Sequence, residues 1–261
     1  MLRTTLTLLL LYVTASAIAQ DKSLYEKKEL IRHQDTLRYR ILYPEQYDAS
    51  KKYPLILVLH GAGERGSDNE AQLVHGSYLF LDPANGQQYP AIVIFPQCPK
   101  NDFWARIDRD PNRKDSLNGL YYPSDRPIGK SLGLVSELLD SMAASGTVNN
   151  RKIYVGGLSM GGMGTFEILW RKPRFFAAAF PICGGGDPEK VKEYARKFPI
   201  WVFHGDKDNT VVPAHSRRMV AALQAAKAKV KYTEYPGVGH NSWDNAFKEP
   251  DLLKWLFGQK K

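Results

Sequence analysis

Hydrophobic and polar positions follow two rhythms along this chain. From Thr36 to Tyr43, Leu37, Tyr39, Ile41 and Tyr43 alternate with polar positions that include Arg38 and Arg40, the period-two pattern of a half-exposed strand near a sheet edge. Leu24 to Ile31 is expected to pair with it. Continuous apolar runs at 55–59, 91–95, 153–155, 177–182 and 200–203, followed by Val230 to Tyr235, read as buried strands of a mostly parallel sheet. Helical patterns lie between them, at 128–145, 160–172, 188–197, 213–227 and 242–256. Strands alternating with helices imply a doubly wound α/β fold with its site at the strand C-termini. No repeat, low-complexity segment or linker divides the 261 residues.

The first residues follow neither rhythm. Arg3 precedes the apolar run Leu6 to Val13, and Ala17-Ile18-Ala19 has the small-residue spacing of a cleavage site, so residues 1–19 read as a secretory signal peptide and 20–261 as a single domain. Export to a periplasm or to the outside follows. The apolar stretch is too short, and too interrupted by Thr and Ser, to suit a membrane anchor. With 43% hydrophobic and 24% charged residues the chain can bury a sizeable core and is not of a disordered type. Removing residues 1–19 takes away only Arg3 and lowers the formal charge from +9 to +8. The Lys and Arg residues are spread along the chain without a recognition motif, which argues against nucleic acid as a partner and leaves attraction to an acidic glycan open.

Three short stretches carry chemistry. Gly157-Leu158-Ser159-Met160-Gly161 is a weak signal alone, but Lys152-Ile153-Tyr154-Val155 leads into it as a strand and 162–170 leaves it as a helix. A strand, a sharp turn and a helix in that order push a serine out above the sheet edge, with glycines where the chain closes tightly. The first N–H groups of the helix, beginning with Met160, then point at the charge that develops on a substrate carbonyl. Downstream lie His204-Gly205-Asp206-Lys207-Asp208 and Gly237-Val238-Gly239-His240, and upstream Leu55 to Leu59 opens into His60-Gly61-Ala62-Gly63. Nucleophile, acid and base in that chain order suit Ser159, an aspartate and His240. Asp206 and Asp208 stand two apart, and periodicity does not choose between them.

On these motifs the chain resembles the α/β-hydrolases of the dienelactone hydrolase, phospholipase-carboxylesterase and prolyl-oligopeptidase-like group, over nearly all of residues 20–261. The resemblance implies an α/β-hydrolase fold with a mostly parallel sheet of about eight strands, helices on both faces and no large lid. It implies Ala62 as the second oxyanion donor beside Met160, with Gly61 and Gly63 open as alternatives. It also selects Asp208 as the acid, since Asp208-Asn209-Thr210-Val211 fits the family's His-Gly-x-x-Asp-x-x-Val pattern; Asp206 is left as a turn residue. His60 and His204 are expected to support loops by hydrogen bonds, and His33, His75 and His215 to serve surface or capping roles. No pair of histidines has metal-ligand spacing, so neither metal nor other cofactor is expected.

Cys98 and Cys183 follow strands that the family sheet order separates by two others, about 14 Å at ~4.8 Å per strand, so free thiols are expected. The stretch from Gln97 to Pro127 carries Phe103, Trp104, Tyr121 and Tyr122 among Arg106, Asp108, Arg109, Asp110 and Arg113, a long polar-aromatic loop of the kind that borders a site. Trp104 with Trp243 beside His240 would form a platform for a sugar or aromatic acyl group; the alternative is that Trp104 anchors the loop. The expected activity is hydrolysis of carboxylic esters through an acyl-enzyme, with acetyl or feruloyl esters on polysaccharide as the substrate class. A serine peptidase of prolyl-oligopeptidase-like type and an inactive carbohydrate-binding relative stay open, and the oligomeric state is not legible.

Overall fold

The computed structural model describes residues 21–112 and 117–261. The leader expected at 1–19, with its cleavage site, and Arg113 of the long loop lie outside them. The chain enters through an antiparallel hairpin, β1 (Glu26–Arg32) and β2 (Asp35–Leu42), in which Leu30 pairs with Leu37 and Arg32 with Asp35. Then follow β3 (Tyr53–Leu59), the short helices α1 (Ser77–Leu81) and α2 (Pro83–Gln88), and β4 (Ile92–Gln97). The long loop carries a two-residue pair, β5 (Asp108–Arg109) with β6 (Leu120–Tyr121), and leads to α3 (Lys130–Ala144). The C-terminal half is β7 (Val148–Leu158), α4 (Met160–Arg171), β8 (Ala178–Ile182), α5 (Val191–Tyr194), β9 (Ile200–Gly205), α6 (Ala214–Ala225), β10 (Val230–Tyr235), α7 (Trp243–Ala246) and α8 (Leu252–Phe257).

The large sheet has the order β1-β2-β4-β3-β7-β8-β9-β10. Only β1–β2 and β2–β4 pair antiparallel; every later pair is parallel. Burial of residues 55–59 of β3 on both faces explains the unbroken apolar run: Leu55, Leu57 and Leu59 pack on one face with Leu132, Val135, Phe166 and Met219 from α3, α4 and α6, while Ile56 and Val58 pack on the other with Phe247, Leu252 and Leu256. β4 and β8 are separated by β3 and β7, and both cysteines that follow them are free and buried. Among the described residues no helix is long and apolar enough to cross a membrane.

Two helical expectations need correction, and two short helices come in addition. The stretch 188–197 is a short 3-10 turn, Pro188–Lys190, running into the single turn of α5. The stretch 242–256 is two helices, because Pro250 between them has no N–H to continue the ladder. Helices α1 and α2 were not foreseen; Asp82 caps α2 by accepting the Asn85 N–H at 3.0 Å with Pro83 in the first position, a start signal that the polar and glycine content of 83–88 obscured.

Candidate active site

The ends of β7, β9 and β10 converge at the C-terminal edge of the sheet, and Ser159, Asp208 and His240 meet there. Ser159 sits between β7 and α4 with φ 53° and ψ −116°, a backbone conformation that a residue with a side chain adopts only under constraint. Its N–H donates to the Ile182 carbonyl at 2.9 Å, and its carbonyl accepts from the Met163 N–H at 3.0 Å. The turn fits because Gly161 lies against β3: a Cβ there would come 2.0 Å from the Leu59 carbonyl oxygen. Gly161→Ala is therefore expected to destabilise the protein by about 3 kcal/mol, read as a fall in the thermal unfolding midpoint; an unchanged midpoint would refute this account of the turn. Gly205 plays the same part for the opposite loop, since a Cβ on it would come 2.3 Å from the Val238 carbonyl oxygen, two residues before His240.

His240 Nε2 lies 2.9 Å from Ser159 Oγ, and its Nδ1 lies 2.7 Å from Asp208 Oδ2. Asp208 is buried and His240 partly exposed. An ionised carboxylate only accepts, so Nδ1 carries the proton toward Asp208 and Nε2 is free to accept the serine hydroxyl proton. Burial pushes the Asp208 carboxyl up, but hydrogen bonds from His204 and His240, the charge of His240 and the Val211 N–H outweigh it and hold the group well below the usual carboxylate range. Asp206 is elsewhere: its carboxylate accepts the Gly237 N–H at 2.7 Å and braces the base of the His240 loop. Cys183, with φ 39°, stands beside the pair. Ligand atoms of Cys183, Asp208 and His240 lie within 4.8 Å of one another. The carboxylate and imidazole already hold each other, and burial pushes the Cys183 thiol up, away from the thiolate a metal would need. This trio reads as an acid–base pair with a neutral thiol at its side.

The loop after β3 is built around His60. The Cys98 N–H donates to His60 Nε2 at 2.9 Å, which places the ring proton on Nδ1, and Nδ1 donates to the Gly61 carbonyl at 2.6 Å. Burial lowers the His60 pKa to about 4 and keeps the ring neutral. In a planar trans peptide the N–H points opposite to the carbonyl, so pinning the Gly61 oxygen turns the Ala62 N–H away from His60. Arg65 Nε fixes the next peptide by donating to the Ala62 carbonyl at 3.0 Å.

Trp104 does not form a platform. Its side chain is fully buried, its Nε1 donates to the His60 carbonyl at 3.1 Å, and a Cβ on Gly164 of α4 would come 2.4 Å from the Trp104 Cβ. It anchors the long loop, as do the Arg106 N–H on Glu167 at 2.6 Å and the Ser131 hydroxyl on Asp102 at 2.7 Å. Trp243 does lie where expected, half-buried and edge-on to His240 with ring centroids 5.2 Å apart. Its Nε1 is buried and has no hydrogen-bond partner among the described residues. His75 packs against its ring at 5.1 Å, so this histidine borders the site as well. His215 is a correction of a different kind: it is buried, holding Leu117 and Tyr122 of the long loop onto α6. The sequence marks Cys183 only as a free thiol, His75 only for a surface or capping role and Arg65 not at all; each reaches the site through folding, with no local pattern to mark it.

Known proteins of several kinds are similar to this chain. Carboxylesterase SOBER1 of Arabidopsis thaliana is 26% identical over 196 residues, 71% of this chain and 82% of that protein. An endo-1,4-beta-xylanase/feruloyl esterase of Xylanibacter ruminicola is 28% identical over 193 residues, 73% of this chain and 24% of that protein. Among solved structures, a thermostable esterase superposes with a TM-score of 0.80 at 33% identity and covers 92% of this chain; this chain spans 64% of its length. The model of the Phospholipase/Carboxylesterase family matches residues 46–251. With the eight-stranded sheet and the strand–turn–helix at Ser159 already described, the chain belongs to the Phospholipase/Carboxylesterase family of α/β-hydrolases and is a hydrolase of the carboxylesterase type.

Proposed function

We propose that the protein is an exported serine esterase in which Ser159 is the nucleophile, His240 the base and Asp208 the acid that orients it. The observation that carries this reading is the continuous hydrogen-bonded line from Ser159 Oγ through both nitrogens of His240 to Asp208. Ser159 Oγ attacks the ester carbonyl as its proton passes to His240 Nε2. The carbonyl oxygen becomes an oxyanion, to which the backbone N–H groups of Met160 and Ala62 are assigned as donors. Collapse of that intermediate expels the alcohol, which takes its proton from His240, and leaves an acyl group on Ser159. Water, deprotonated by His240, then releases the acid and restores the serine. Asp208 keeps the imidazole in the required tautomer and stabilises its protonated form.

The substrate class we favour is acetyl or feruloyl esters borne on polysaccharide. The feruloyl esterase among the similar proteins supports it, as do the half-buried Trp243 beside His240 and the partly exposed Phe103, whose ring lies 4.4 Å from the Arg65 guanidinium. An exported enzyme with a formal charge of +8 suits a polymeric, acidic matrix outside the cell. A panel of p-nitrophenyl acetate, p-nitrophenyl butyrate, methyl ferulate, acetylated xylan and a prolyl-peptide anilide tests the reading. Turnover of the esters, with methyl ferulate or acetylated xylan preferred over butyrate, is the expected result. Cleavage confined to the anilide would make the protein a peptidase, and silence on all five would favour a binding role.

A further inference from the structure

The carboxylate of Asp208 serves two histidines. Its Oδ1 accepts the N–H groups of Thr210 and Val211, each at 2.9 Å. Its Oδ2 faces His240 Nδ1 at 2.7 Å and His204 Nε2 at 3.1 Å. Four donors fill the four lone-pair sites of the group, so it can neither rotate nor take a water. His204 Nε2 faces two acceptors, this oxygen and the Val211 carbonyl at 2.8 Å, so it carries a proton and donates. The other nitrogen of the ring, Nδ1, lies 2.7 Å from Ser216 Oγ of α6, and that hydroxyl lies 3.0 Å from the Gly184 carbonyl in the loop after β8. His204 itself ends β9 and is fully buried.

We propose that His204 is a positioning residue of the reaction: by donating Nε2–H to the same Asp208 oxygen that His240 uses, it fixes the carboxylate and limits how strongly Asp208 supports the protonated form of His240. The proposal rests on the reading of Ser159, His240 and Asp208 as the triad. A histidine present only to fill space would be satisfied by the Val211 carbonyl and Ser216. Sharing Oδ2 adds a consequence, because two N–H donors on one oxygen divide its negative charge, and each charge-assisted bond is weakened by the other. The line from Ser159 therefore continues beyond Asp208 through His204 to Ser216 and α6.

The sign follows from that division. Without the His204 donor, Oδ2 turns its full charge on His240, the protonated imidazole is favoured, and the acid limb of the kcat/KM profile moves to higher pH. The other groups facing this pair are Cys183 at the end of β8, whose thiol burial pushes up, and Glu234 on β10, the strand neighbour of His204. Glu234 is held by Arg217 at 2.9 Å and by the Tyr232 hydroxyl. His75 lies across the Trp243 ring. Replacing His204 leaves these side chains in place and withdraws from Glu234 only the smallest of the influences that lower its carboxyl, the Arg217 and Tyr232 bonds remaining.

The test is the pH dependence of p-nitrophenyl acetate hydrolysis by the whole protein and by His204→Phe, His204→Gln and Ser216→Ala. His204→Phe keeps a ring and removes both nitrogens. The expected results are a kcat about 10-fold lower, a KM within about twofold and an acid limb raised by about half a pH unit. His204→Gln can still donate an amide N–H and should recover most of the rate. Ser216→Ala leaves the donor but loosens its ring, so it gives a smaller shift in the same direction and a reading even where His204→Phe does not fold. An acid limb that stays in place in every folded variant would overturn the proposal. Ser159→Ala separates the two readings: if it kept turnover, the triad assignment itself would fall, whereas a silent Ser159→Ala with unmoved limbs removes His204 alone.

Discussion

Ser159→Ala is expected to lower ester turnover by about 10⁶-fold, to the level the rest of the site supplies, while leaving stability within about 1 kcal/mol of the parent. The side chain is one hydroxyl, partly exposed, with His240 Nε2 as its partner at 2.9 Å. Alanine keeps the Cβ and so inherits the φ of 53° without new contacts. The strands that converge on the turn lose nothing. Steady-state hydrolysis of p-nitrophenyl acetate alongside thermal unfolding reads both quantities, and turnover retained at a tenth of the parent or more would remove Ser159 from the reaction. The combination matters, because a loss of rate together with a loss of fold would say nothing about chemistry.

Asp208→Asn should cost about 10⁴-fold in kcat, and the reason lies in which atom goes where. The Thr210 and Val211 N–H groups demand an acceptor at the Oδ1 position, so the amide oxygen must sit there. The amide NH₂ is then turned toward His240 Nδ1, a donor facing a donor. The imidazole can answer only by moving its proton to Nε2, and in that tautomer it cannot accept from Ser159. Asp206→Asn, by contrast, keeps an acceptor for the Gly237 N–H and should stay within about 10-fold of the parent. A larger loss from Asp206→Asn than from Asp208→Asn, measured on the same ester, would transfer the acid's role.

Much of this arrangement could be read from the chain because the informative residues obey local rules. The glycines around Ser159 mark a turn that no bulkier residue could make, and the apolar run of β3 can only be a strand buried on both faces. Asp208 was distinguished from Asp206 by resemblance alone, and the backbone N–H groups that hold it come from the two residues that pattern leaves unspecified or fixes as valine, Thr210 and Val211. What could not be read depends on the third dimension. Trp104 and Trp243 look alike in sequence, both aromatic residues near turn-forming neighbours; one is sealed between the His60 loop and α4, the other stays half-open beside His240. The division of 242–256 into two helices is the exception, a local signal: the missing N–H of Pro250 outweighs the helical period around it. His204 was marked by its place in the motif, but the sharing of a single carboxylate oxygen appears only when the loop after β9 folds back on that strand's last residues.

The order of the sheet also governs when the enzyme becomes active. β1 and β2 are neighbours in the chain and can pair as soon as they are made, whereas the central parallel strands must each wait for a crossover to close, an entropic delay that makes such sheets slow to assemble. Ser159 and His240 are 81 residues apart, and His240 and Asp208 are 32 apart, on loops held by different strands. No partial sheet lacking β9 or the His240 loop brings the three together. The meeting of Ser159, His240 and Asp208 is therefore a late event in folding, and an incompletely folded chain carries the three side chains apart.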